Sequence, residues 1–275
     1  MSYRRATMEA SVNTRPVGEL LREWRQRRRM SQLACAVEAE ISSKHLSFLE
    51  SGRSQPSRDM LLRLALLLEV PLRERNALLV AAGFAPMFRE RPLTDPALNA
   101  AREAVDQVLK AHEPYPALAV DRHWNLLASN RAVAPLLAGV AATLLQPPVN
   151  VLRLSLHPEG LAPRIMNLAE WRAHLFGRLR RQIEISADRV LAELFEELSH
   201  YPAPAAGGDE EAARAPSAIA VPFRLATEAG VLSFIGTITV FGTPIDITLS
   251  ELALESFYPA DPQTAAALRA LAARR

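Results

Sequence analysis

Apolar positions recur at helical spacing through the first third of the chain and switch to a period of two near its end. Leu20, Leu21 and Trp24 share one helix face. Ser31 stands as N-cap of a short helix through Ala39, and Ser42 of another through Ser51 that Gly52 stops. Ser57 caps a fourth helix, Arg58–Leu68, with Leu61, Leu62, Leu64, Ala65 and Leu68 inward, and Pro71 opens a fifth that ends near Gly83. Five short helices joined by brief connections predict a compact all-α domain over residues 16–84. Residues 1–15 show no periodicity and are expected to form a disordered tail.

Pro86, Pro92 and Pro96 mark a linker region over residues 85–105, within which a helix, roughly Ala97–Ala111, begins. The remainder, 106–275, mixes periods. Ala117–Val120 and Trp124–Ala128 read as strands around a turn at Asp121–His123. Asn150 is placed to cap a short helix. Ile165, Leu168, Trp171, Leu175 and Leu179 form one helical stripe, and Val190, Leu191, Leu194, Phe195 and Leu198 the next. Pro202–Pro216 is low-complexity and reads as a flexible loop. Val221, Phe223 and Leu225 then alternate, as do Leu232, Phe234, Ile238 and Val240 with Ser233, Thr237 and Thr239. Gly242-Thr243-Pro244 predicts a turn, Ile245, Ile247 and Leu249 a further strand, and Pro262–Ala273 a closing helix. The whole is an α+β domain with an antiparallel sheet covered on one face by helices.

Composition narrows the function. With 49% apolar and 23% charged residues among 275, the chain is expected to fold. A single cysteine, Cys35, leaves no internal disulfide and no Cys-rich metal site. The uncharged run Ala132–Leu152 is broken by Pro135, Pro147 and Pro148 and is too short to span a bilayer, so a cytoplasmic, soluble protein without membrane association is expected. Charge is uneven. Residues 1–92 hold 16 Lys and Arg against 10 Asp and Glu, and the rest hold 16 against 20. Only the first part is suited to a polyanion. All but two of the basic residues, Lys44 and Lys110, are arginine, a bias over the whole chain that is not itself a sign of function.

The stretch SQLACAVEAEISSKHLSFLESGRSQPS, Ser31–Ser57, is two short helices around a turn at Glu40-Ile41, with Ala36, Ile41, Leu46 and Leu49 inward. It resembles the XRE (lambda-repressor-like) DNA-binding family through Ser31-Gln32, Ala36, Leu46-Ser47 and the ending Glu50-Ser51-Gly52-Arg53-Ser54-Gln55-Pro56. Glu40 departs from it, standing where the family often has Gly. The resemblance implies that Gln32 holds a phosphate, that Ser43, Lys44, Ser47 and Phe48 face the major groove, and that Arg53 binds backbone phosphate. It also implies that Arg25 and Glu50 form a structural ion pair. Beyond this domain, the stretches HEPYPALAVDRHWNLLASN, NVLRLSLHPEGLAP and FGTPIDITLSELALESFYPAD are similar to the MmyB-like regulators. That similarity implies a PAS-like ligand-binding domain with an apolar pocket for a fatty-acid-like ligand.

The second domain carries none of the hydrolase, dinucleotide, P-loop or metalloprotease signatures, and an enzyme is not expected. No cofactor is required, and a bound long-chain fatty acid is the expected occupant. Candidate pocket walls are Trp124, Leu126, Met166, Trp171, Leu175, Phe195, Phe234, Ile238 and Val240, with Gly236 leaving a gap in the strand's apolar row. Arg153, Arg164 and Arg172 are candidates to receive a ligand carboxylate at the mouth. The partners expected are double-stranded DNA with a palindromic operator, a small apolar ligand and a second copy of the chain. Two alternatives stay open: a second domain that serves only dimerisation or protein recruitment, and a haem sensor ligated by His157 or His174.

Overall fold

The computed structural model describes residues 15–202, 221–241 and 246–273. Apart from Arg15 and Pro202, the expected tail over residues 1–15 and the Pro202–Pro216 loop fall outside them, as does the Gly242–Pro244 turn. The chain divides into two units, 1–90 with 245–247, and 91–244 with 248–275.

The first unit is helical: α1 (Val17–Arg27), α2 (Gln32–Glu38), α3 (Ser43–Glu50), α4 (Arg58–Leu67) and α5 (Leu72–Ala81). The three serines read as caps act as caps. Ser31 Oγ accepts from the Ala34 N–H at 3.0 Å, Ser42 from His45 at 3.1 Å and Ser57 from Met60 at 3.2 Å. Arg28 donates to the carbonyls of Leu68 and Glu69, both at 2.9 Å, satisfying acceptors left over at the end of α4. Leu21, Leu46, Leu49, Leu61, Leu64 and Leu79 fill a core closed to solvent. α1 lies so close to α3 that a Cβ on Gly18 would stand 2.3 Å from the Leu49 carbonyl oxygen. Residues of the expected linker belong to this unit: Asn76 of α5 accepts from the N–H groups of Met87 and Phe88 at 2.9 and 3.0 Å.

A charged pair is buried in that core. Arg25 Nε and Nη2 donate to Glu50 Oε1 and Oε2 at 2.6 and 3.0 Å, and Nη1 donates to the Met30 carbonyl at 2.7 Å. Gln32 Nε2 adds a fourth bond, to Glu50 Oε2, at 2.7 Å. Burial pushes the Glu50 carboxyl up, but the bonds from Arg25 and Gln32 outweigh it and hold the group below its ordinary value. The hydrogen bond to Glu50 raises Arg25 in turn.

The second unit carries α6 (Asn99–Ala111), β1 (Ala117–Val120), β2 (Leu126–Ser129), α7 (Val151–Leu156), α8 (Leu168–Ser186), α9 (Arg189–Ser199), β3 (Phe223–Thr227), β4 (Gly230–Val240), the single turn α10 (Ile247–Ser250), β5 (Ala253–Pro259) and α11 (Pro262–Ala273). The five strands form one antiparallel sheet in the order β2-β1-β5-β4-β3. One face packs Leu118, Phe223, Leu225 and Phe234 against Trp171, Leu175 and Leu179 of α8 and Leu191 and Leu198 of α9. On the other, Ala117, Ala119 and Leu254 meet Val105 and Leu109 of α6. The strand expected at 245–250 is corrected: Ile247–Ser250 is helical, and the strand lies at Ala253–Pro259. β5 runs between β1 and β4 with Leu254, Glu255 and Ser256 all buried, so its covered residues show no alternation of polar and apolar.

Polar side chains fasten the layers. Asn130 accepts from the Ala117 N–H and donates to the Leu109 and Tyr115 carbonyls. Asn150 caps α7 and reaches the His123 carbonyl at 2.8 Å. Asp188 caps α9 and accepts from His123 Nε2 at 2.9 Å. The His123 hydrogen bond, with the Arg122 charge nearby, holds its carboxyl down to about 2.

Two outcomes follow for stability. Gly18→Ala drives a methyl into the α3 backbone and should cost about 1–3 kcal/mol, read as a lowered Tm. Glu50→Ala strands the Arg25 guanidinium and should cost about 3–5 kcal/mol. Because Glu50 titrates lower folded than unfolded, its contribution is complete above the ordinary carboxylate range and is lost as pH falls below that range and through the lower folded value. Glu50→Gln should therefore flatten the acid limb of the stability curve, measured by urea unfolding at successive pH values.

Candidate functional site

The turn between α2 and α3 needs a residue at positive φ. Glu40 takes it, at φ 55°, while the Ile41 N–H returns to the Ala36 carbonyl at 2.9 Å. Cys35 and Ala36 are buried, and the small Ala36 side chain suits the close approach of α2 and α3. Beyond the Ser42 cap, α3 turns Leu46 and Leu49 inward and leaves Ser43 and Lys44 exposed, with Ser47 and Phe48 half-buried. Lys44 Nζ lies 5.6 Å from the centre of the Phe48 ring, and the Arg53 guanidinium carbon lies 5.8 Å from it. Lys44, Phe48 and Arg53 are thus one cluster of two cations on an aromatic ring. Gln32 is placed differently: its amide is bonded to Glu50 rather than turned outward for a phosphate. The family resemblance made it a candidate, and the Glu50 partner, 18 residues away, left no local signal.

In the second unit, an apolar cavity of about 90 Å³ lies between the sheet and its helices. Of the expected wall residues, Leu126, Trp171, Leu175 and Phe234 line it. Trp124 is buried in the same core but turns its Nε1 to Gln182 at 2.7 Å and its ring face to Arg178 at 4.5 Å. Phe195 packs on Phe176 and under Arg180. Met166 and Val240 are corrected to surface positions, 63% and 62% exposed. Met166 falls before α8 begins, and Val240 lies on the half of β4 that β3 does not reach. Gly236 lines a second cavity of about 100 Å³, as does the rim residue Ile238, 47% exposed. The gap at Gly236 faces a neighbour, since a Cβ there would meet the Phe257 ring at 3.7 Å.

Much of the wall comes from segments the helical and strand patterns did not single out: Val133, Leu136, Val151, Leu152, Leu161 and Phe257. The uncharged run over 132–152 was the signal for Val133, Leu136, Val151 and Leu152, read only against a membrane span. Ser155 and Glu255 are the polar side chains in the lining. Ser155 Oγ accepts from Trp171 Nε1 at 2.9 Å, and Glu255 Oε1 from Arg178 Nη2 at 2.8 Å.

The three arginines expected at the mouth hold protein partners. Arg153 forks onto Glu197 at 2.8 and 2.6 Å, and Tyr201 donates to the same carboxylate at 2.6 Å. Burial, then that bond, push the Tyr201 hydroxyl up to about 12. Arg164 donates to the Leu136 carbonyl at 2.7 Å. Arg172 donates to the Leu198, Ser199 and Tyr201 carbonyls beyond and within the last turn of α9. His157 accepts from the Glu159 N–H at 3.0 Å, and His174 stacks on Trp171 at 5.5 Å. Among the described residues, no group of three His, Cys, Asp or Glu is placed to hold a metal ion, and no helix is long and apolar enough to cross a membrane.

A family model for a helix-turn-helix domain matches residues 16–78, and one described as the MmyB-like transcription regulator ligand binding domain matches residues 101–271. No curated protein matches the chain. The two matches follow the division into a helical unit that presents α3 and a sheet unit that encloses an apolar cavity, and the second spans more than half of the sequence: the chain belongs to the MmyB-like transcription regulators.

Proposed function

We propose that this transcription regulator reads DNA with the Lys44–Phe48–Arg53 cluster and answers to a long apolar ligand, fatty-acid-like in its chain, without being an enzyme. Ser43, Lys44, Ser47 and Phe48 meet base edges in the major groove. Lys44 donates to guanine, Phe48 touches a thymine methyl, and Arg53 lies on the phosphates that follow. Two copies of the chain read the two halves of a palindromic operator. The edge offered by β4 supports a homodimer: among the described residues, Ile235–Val240 pairs with β5 alone and is exposed.

The observation that carries the ligand reading is the cavity wall, apolar but for Ser155 and Glu255. About 90 Å³ is smaller than the roughly 150 Å³ of an engineered cavity that takes benzene. A chain of about a dozen carbons, gaining roughly 0.8 kcal/mol per methylene buried, must therefore part the helices from the sheet. Ligand and repacked domain are then one equilibrium, which is what a sensor requires.

Lys44→Ala should weaken binding to a selected operator by about 1–3 kcal/mol and relax preference at one base pair, whereas Arg53→Ala should weaken all sequences alike and flatten the salt dependence. Titrations at several salt concentrations separate the two, and wild-type behaviour of both variants refutes the assigned face. Leu126→Trp, placing a large ring at the half-buried edge of the cavity, should abolish retention of long-chain molecules in native mass spectrometry. It should leave DNA affinity of the ligand-free protein unchanged. A wild-type protein that retains and binds none would leave the domain to dimerisation alone. Analytical ultracentrifugation should find dimers at micromolar concentration, and a monomer both free and on DNA refutes the paired reading.

A further inference from the structure

We propose that the ligand carries an uncharged head group with both a hydrogen-bond donor and an acceptor, such as a hydroxyl or carboxamide, and that Glu255 and Arg178 hold it. This rests on the reading of the apolar cavity as the chain's site. β5 turns Glu255 toward the same covered face as Phe257, so a carboxylate stands in an otherwise apolar wall. The residue is 8% exposed, and among the described residues only one of its oxygens has a protein partner. That partner, Arg178, uses one of its five N–H donors there while its guanidinium lies over Trp124. The second cavity shares Trp171, Glu255 and Phe257 with the apolar one and adds His174, Arg178 and Thr237. A chain lodged in the first therefore ends at the polar pair of the second.

The charges on those walls decide the head. Arg178 and Glu255 cancel. Burial, reinforced by the Arg178 charge, lowers His174 below its ordinary value, so its imidazole is neutral at neutral pH. A carboxylate head would put two anions beside one cation in a desolvated space, and an ammonium would face Arg178. A neutral head donates to the free Glu255 oxygen and accepts from Arg178 with no charge left uncompensated.

The test is isothermal titration of delipidated full-length protein with decan-1-ol, decanamide and decanoate. Wild type should bind the alcohol and the amide at least tenfold more tightly than the acid. Glu255→Gln, which frees Arg178 of its anion while keeping the side chain's shape, should raise affinity for decanoate and erase the preference. Equal or tighter binding of decanoate by wild type overturns the proposal. So does a preference unchanged in Glu255→Gln, which would make the pair only a strut between α8 and the sheet. Should that variant not fold, the wild-type ranking decides. Binding of none of the three overturns the ligand-site reading itself, and the head-group assignment with it.

Discussion

The Glu50 carboxylate sits at the last residue of α3 with none of its side-chain surface exposed. A charge in that position is tolerated only if its lone pairs are filled. Arg25 from α1 and Gln32 from α2 fill them, so three helices converge on two oxygen atoms. The fork geometry of the guanidinium fixes orientation as well as distance. Gly18 then lets α1 rest on the same end of α3 at backbone contact. The angle at which α3 presents Lys44 and Phe48 follows from these contacts. The functional face is exposed, but the pairing that aims it is not.

The second unit repeats the device with a different result. Glu255 and Arg178 also join a buried carboxylate to a guanidinium from a neighbouring element, yet through one hydrogen bond instead of two. Around Glu50 both carboxylate oxygens accept, from Arg25 and from Gln32. Around Glu255 an oxygen and several N–H groups remain available beside a cavity. The same chemistry thus ties three helices together in the first unit and, with fewer hydrogen bonds, joins α8 to β5 in the domain matched to ligand binding.

What the sequence disclosed depended on how local the determining interaction was. Ser31, Ser42 and Ser57 act on N–H groups three residues away, and all three caps could be read directly. The Arg25–Glu50 pair was implied by the resemblance of the helix-turn-helix to its family, and the structure forms it. β5 was missed because a central strand covered on both sides loses its alternation, with Glu255 and Ser256 buried beside Leu254. The cavity was only half legible. Helical and strand stripes gave Trp171, Leu175 and Phe234, whereas Leu136 and Leu152 come from turns and short helices that have no period to detect. Gln32 and the three candidate arginines show the remaining limit: a polar side chain's partner, 18 residues away for Gln32 and 44 for Arg153, is set by tertiary structure.

Lys44 has one more consequence, which comes from its scarcity. An arginine guanidinium stays protonated and does not react with acyl donors near neutral pH, whereas a lysine amine does. Of 32 basic side chains only Lys44 and Lys110 are lysines, and both are exposed. Acylation, which scatters over many sites on most surfaces, is confined here to two side chains. One of them stands on α3, beside Phe48 and Arg53. A single acyl group there would remove the ammonium from the Phe48 ring and one positive charge from the Lys44–Phe48–Arg53 cluster, leaving the arginines chemically unchanged.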